Sequence, residues 1–136
     1  MLEKAKRDFV VMASKLNTDT IFNFFVTVYH VIDYVKKQTK TSEANIETFY
    51  KSPDFQMCEY ICNKGKHLTL RNEKERYPYQ NQHRKAATFG EMMFNEGTFN
   101  QSESYTLIAG DREVDVVTLG KRLLDNWERF FKDNGI

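Results

Sequence analysis

The sequence predicts an α+β protein that is mainly α, a bundle of about five helices with a small antiparallel sheet inserted before the C-terminal helix. Three observations carry this expectation. Apolar residues recur every three or four positions over 2–16, 19–37 and 116–133, the period of helices with one buried face. Between the fourth helix and the last, the pattern changes to alternation, the period of strands. No linker, internal repeat or low-complexity tract interrupts the 136 residues, so 1–136 reads as one domain.

The first helix follows from Leu2, Ala5, Phe9, Met12, Ala13 and Leu16, which share one face. "NTD" then breaks the chain and offers Asn17 or Thr18 as a cap for the second helix, about 19–37. That helix is nearly all apolar before Lys36, so it is expected to be central and covered on most sides. "TSEANIETFY" gives a short third helix capped by Thr41 or Ser42. "KSPDFQMCEYICNKG" opens a fourth. Ser52 is placed as N-cap, Pro53 suits the first helical position, and Asp54 complements the positive end of the helix dipole. Phe55, Met57, Cys58, Ile61 and Cys62 supply its buried side, and Gly65 is placed to end it.

"HLTLR" (67–71) alternates like a strand, and "NEKERYPYQNQ" reads as a polar loop. "KAATFGEMMFNE" is expected to be a strand with a bulge at Gly90. "SYTLIAGDREVDVV" reads as a hairpin turning at Gly110-Asp111. The last helix, about 116–133, has a face of Val116, Leu119, Leu123, Leu124, Trp127, Phe130 and Phe131, and "DNGI" stops it. With eleven Phe and seven Tyr, the core is expected to be built from rings more than from aliphatic side chains.

Net charge is +1, so no general attraction to nucleic acid or to membranes is expected. The charge is uneven, however. Lys64 to Lys85 holds seven cations against Glu73 and Glu75, a local balance of +5 that would suit an RNA strand if it is not simply a solvated face. "LEKAKRDF" lacks the apolar core of a signal peptide, and His30 and Asp33 break the longest apolar run, so a cytoplasmic protein without a membrane span is expected. Cys58 and Cys62, four apart, read as small thiols on one helix side. They could form half of a zinc site, but no second Cys/His pair has matching spacing. No cofactor is expected.

The place to look for chemistry is "FNFFVTVYHVIDY" (22–34), where Asn23, Thr27, His30 and Asp33 form a polar stripe within about a third of the helix circumference. Short uncharged groups solvate a helix less readily than Lys, Glu or Gln, so the stripe is expected to face protein or a pocket. If the second and fourth helices pack together, His30 and Asp33 would face Asn63, Lys66 and His67 across an interior nook. Three readings stay open. In the first, these groups satisfy one another and fix the bundle register. In the second, His67 takes a proton from a ribose hydroxyl while Lys66 and Arg71 stabilise charge on the phosphate, with Asn63 beside them. In the third, His30 and Asp33, at i and i+3, bind a metal ion with His67 as a further ligand.

Over residues 20–70 the chain resembles small uncharacterised bacterial or phage-associated helical proteins and, more distantly, the HEPN group of helical ribonucleases and toxin–antitoxin components. The residues that carry the resemblance are "YHVID" (29–33) and "CNKGKH" (62–67). "RYPYQNQH", from Arg76 to His83, has the group's arginine, six residues, then histidine. The resemblance implies metal-independent RNA cleavage or a toxin component. Taken together, the residues favour a homodimeric interaction or accessory domain; RNA cleavage ranks second and metal binding third.

Overall fold

The computed structural model describes residues 1–64, 69–72, 105–109 and 112–136. The α+β architecture is as expected. Five helices are formed among these residues: α1 (Leu2–Ser14), α2 (Thr18–Gln38), α3 (Glu43–Tyr50), α4 (Pro53–Lys64) and α5 (Val116–Asp133). Between α4 and α5 lies an antiparallel sheet of β1 (Thr69–Asn72), β2 (Tyr105–Ala109) and β3 (Arg112–Asp115). Strand β2 is central. Leu70 pairs with Leu107, and Leu107 in turn with Val114. The hairpin register pairs Ala109 with Arg112. The expected turn at Gly110-Asp111, the helix stop at Gly65 and the strand around Gly90 lie outside the described residues, as does most of the 72–82 loop.

Helix boundaries follow from local chemistry. Asn17 caps α2: its side chain accepts from the Thr20 amide at 2.9 Å, and Thr20 Oγ1 accepts from the Asn17 amide at 3.2 Å. This reciprocal box satisfies two amides that a helix start leaves orphaned. Ser42 caps α3 through the Asn45 amide, and Asp115 caps α5 through the Thr118 amide. Ser52 differs from expectation. Its carbonyl accepts from the Gln56 amide, but its hydroxyl is buried and has no hydrogen-bond partner among the described residues. Its backbone thus starts α4 while its side chain does not cap it.

Helix α2 is the central element, packed against α1, α4 and α5. Phe24, Phe25, Val28, Val31 and Val35 are fully buried along it. Helix α5 closes the bundle with the face the sequence predicts, Trp127 and Leu123 having no exposed surface. Leu107 is equally buried and joins the sheet to this core.

Gly120 belongs to the same α5 face, and its role is steric. A Cβ there would lie 2.8 Å from Cε1 of Phe24, 3.0 Å from Cε2 of Phe9 and 3.2 Å from Cε of Met12. The missing side chain lets α5 approach α1 and α2 at the level of the Phe9–Phe24 ring pair, whose centroids are 5.5 Å apart. Gly120→Ala therefore sets about 1 kcal/mol of helix propensity gained against about 1–3 kcal/mol of overpacking. We expect a net loss of about 1 kcal/mol in urea unfolding, and a larger loss for Gly120→Val. A variant more stable than the parent would show that the rings yield without cost.

Candidate functional site

The structure separates the members of the polar stripe. The α2–α4 seam is made by other residues: Tyr29 stacks on Phe55 with centroids 5.6 Å apart, and the Cys58 thiol donates to the Phe25 carbonyl at 3.4 Å. Asn23 and His30 are exposed, Asp33 is half-buried, and Asn63 of α4 is exposed. The His30 and Asp33 side chains are 52% and 49% exposed and bond to each other, Nδ1 to Oδ2, at 2.7 Å. The expected interior nook is therefore not formed by these four residues: Asn23, His30 and Asp33 lie on the solvent side of α2, and Asn63 is exposed on α4. His30 and Asp33 tolerate this exposure because their side chains satisfy each other along the helix, at i and i+3. The backbone of Arg71 lies in β1, paired with Thr106. Lys66 and His67, on which the RNA-cleavage and three-ligand metal readings depend, lie outside the described residues.

Thr27, at the edge of the stripe, is buried and turned towards α1. Its hydroxyl donates to Asp8 Oδ2 at 2.7 Å, and Lys4 Nζ donates both to the same Oδ2, at 2.6 Å, and to Thr27 Oγ1, at 2.8 Å. Burial pushes the Asp8 carboxyl up, but the hydrogen bonds from Lys4 and Thr27 outweigh it and hold the group below its ordinary value. This triad fixes the α1–α2 hairpin in the way expected of a structural polar cluster, though with partners on α1 instead of α4.

A second polar region lies where α2, α3 and α4 meet. There an open cavity of about 740 Å³ is lined by Lys36, Glu43, Ile46, Glu47, Tyr50 and Glu59, among others. Ile46 is buried at its base and Tyr50 half-buried in its wall. The Tyr50 hydroxyl meets that of Tyr29 at 2.9 Å, and Tyr29 also donates to Glu59 Oε1 at 3.4 Å. Hydrogen bonding to Tyr50, with burial added, keeps Tyr29 protonated well above the usual tyrosine range. Lys36 Nζ lies 5.2 Å from the centre of the Tyr50 ring, and Lys51 closes on Glu47 at 2.8 Å. Such a volume falls within the usual range of ligand sites. Chemically, the cavity can offer an aromatic face, carboxylate acceptors and a small apolar base.

None of these cavity residues stood out in the sequence. Tyr50 ends a short helix just before "KSP", and Glu59 interrupts the apolar run of α4. Those are weak signals, visible only once α2 is known to cross both elements. Of the two thiols, Cys58 is buried and Cys62 half-buried; burial pushes the Cys58 thiol well up. Among the described residues no group of three or more His, Cys, Asp and Glu side chains is arranged to hold a metal ion. No helix among them is long and apolar enough to cross a membrane. The chain matches no family model, no curated protein and no solved structure.

The Asp8 triad gives the protein an acid-sensitive seam. A carboxyl whose folded pKa lies below its unfolded value, near 3.9, stabilises the fold above that value and ceases to do so as pH falls through the lower one. Asp8→Asn should cost about 1 kcal/mol at neutral pH and flatten the decline in stability below about pH 4. Asp125→Asn, at an exposed pair with Lys121, should change neither. Urea unfolding from pH 3 to pH 7 measures both, and an unchanged acid limb in Asp8→Asn would remove the triad's role.

Proposed function

We propose that this chain is a cytosolic interaction or accessory domain and that its docking site is the cavity between α2, α3 and α4. The observation that carries the reading is the cavity itself: an opening of about 740 Å³ with a buried apolar base at Ile46 and an aromatic wall at Tyr50. Concave sites of this volume are where proteins commonly bind partners and ligands, and this one is lined mostly by polar and charged side chains. The groups around it, a tyrosine pair hydrogen-bonded to each other and to a carboxylate, are suited to holding a ligand.

Self-association is a second reading, favoured by one feature of α1. Val10 and Val11 are 65% and 53% exposed on the helix side turned from the core. A homodimer would cover them. RNA binding through 64–85, with cleavage at His67 or metal binding at His30, Asp33 and His67, ranks behind both.

The docking reading is tested by nuclear magnetic resonance on isotope-labelled protein with pooled ten-residue peptides of acidic, basic and apolar composition. Shifts should cluster at residues 36–59. Shifts scattered over the surface, or none at millimolar peptide, would overturn it. Sedimentation equilibrium tests the second reading. Val10→Lys with Val11→Lys should turn a dimer into a monomer, and a parent chain monomeric at high concentration would remove that reading.

A further inference from the structure

We infer that the occupant of the α2–α3–α4 cavity is a lysine or arginine side chain carried on a basic segment of a partner protein, and that the Tyr50 ring seats its cation. The inference rests on the docking reading and adds the chemistry of the partner. Its starting point is that the seat already holds a cation. Lys36 Nζ stands 5.2 Å from the centroid of the Tyr50 ring, within the reach of a cation–π contact. Lys36 is exposed, so its ammonium can leave for water on its flexible stem. The protein thus occupies the position with a group that a ligand cation can replace like for like.

The ring is held ready for this. Tyr50 packs edge-on against Phe55, with centroids 5.0 Å apart, and its hydroxyl is tied to that of Tyr29 at 2.9 Å. The Phe55 contact and the hydroxyl bond hold the ring, so little ordering remains to be done on binding. The surrounding charge points the same way. Lys51 is engaged with Glu47, while Glu43 and Glu59, lining the same cavity, have no basic partner among the described residues. An acidic segment would meet these carboxylates. A purely apolar one would bury charged groups against a base whose buried aliphatic residue is Ile46.

The test uses the full chain and three ten-residue peptides, alternating Lys-Ser, alternating Glu-Ser and alternating Leu-Ser, with binding followed by calorimetry and by the resonances of residues 36–59. The Lys-Ser peptide should bind most tightly. Lys36→Ala should tighten it roughly two- to fivefold by vacating the seat. Lys37→Ala removes the same charge from a neighbouring position that does not line the cavity, and should have a smaller effect. Tyr50→Phe keeps the ring and should keep the affinity within about twofold, whereas Tyr50→Leu should weaken binding roughly fivefold. Glu59→Gln, which leaves the ring contacts in place, should weaken it as well, so the conclusion does not hang on the fold of one variant. Equal effects of Lys36→Ala and Lys37→Ala, or unchanged binding in Glu59→Gln, would overturn the cation seat. Preferred binding of the Glu-Ser or Leu-Ser peptide at residues 36–59 would also overturn it, while leaving the docking reading in place. Failure of all three peptides to shift those resonances would remove both.

Discussion

One ring organises this fold. Phe55, fully buried at the start of α4, stacks on Tyr29 of α2 and meets Phe49 and Tyr50 of α3 at 5.3 and 5.0 Å. It stands edge-on to Trp127 of α5 at 5.8 Å. A single side chain from one helix thereby touches three others. Truncating a buried phenylalanine costs about 3–5 kcal/mol, a large share of the 5–15 kcal/mol that holds a typical domain together. Offset and edge-on geometries add to this because ring faces and ring edges carry opposite partial charge. The rest of the aromatic core extends outward from this point, through Phe49 against Trp127 at 4.2 Å and against Phe130 at 4.9 Å.

Polar contacts then set how the helices lie on that core. Arg122 of α5 grips both carboxylate oxygens of Asp54, and Asn126 adds a third donor, so the first turn of α4 is pinned to α5. Asp54 therefore serves the dipole of its own helix and the position of another. Lys6 joins α1 to Glu128 of α5 at 2.8 Å. Pairs this exposed contribute little energy. The Asp8–Lys4–Thr27 contact differs, because Thr27 is buried and its hydroxyl would otherwise lack a partner.

Much of the architecture was legible in the sequence because its signals are local. The helical period, the Asn17 and Ser42 caps, Pro53 at the first turn of α4 and the switch to alternation after residue 66 depend on near neighbours in the chain. The site was not legible, for a physical reason. A helical wheel tells which residues share a face but not which neighbour that face meets. Thr27 and His30 fall on one stripe, yet the first is buried against α1 and the second stands in water. Two residues missed by sequence reasoning show the same limit. Gly120 interrupts an apolar face in a way that suggests weakness, and only the approach of Phe24 and Phe9 shows that its smallness is required. Tyr50 carries no signal of its own in the sequence. Its hydroxyl pairing with Tyr29, and the lysine over its face, come from residues fourteen or more positions away in the chain.

The shortness of α3 has a thermodynamic consequence. Eight residues are too few for a helix to persist unaided. Its order is on loan from Phe49, Tyr50 and Ile46, which lodge against the other helices. Among the described helices, this segment is where the native state should first open locally, its amides trading protons with solvent through openings far cheaper than global unfolding. Because Tyr50 sits in the wall of the cavity, whatever fills that space clamps the same segment. Occupancy and the persistence of this small helix are one equilibrium seen from two sides.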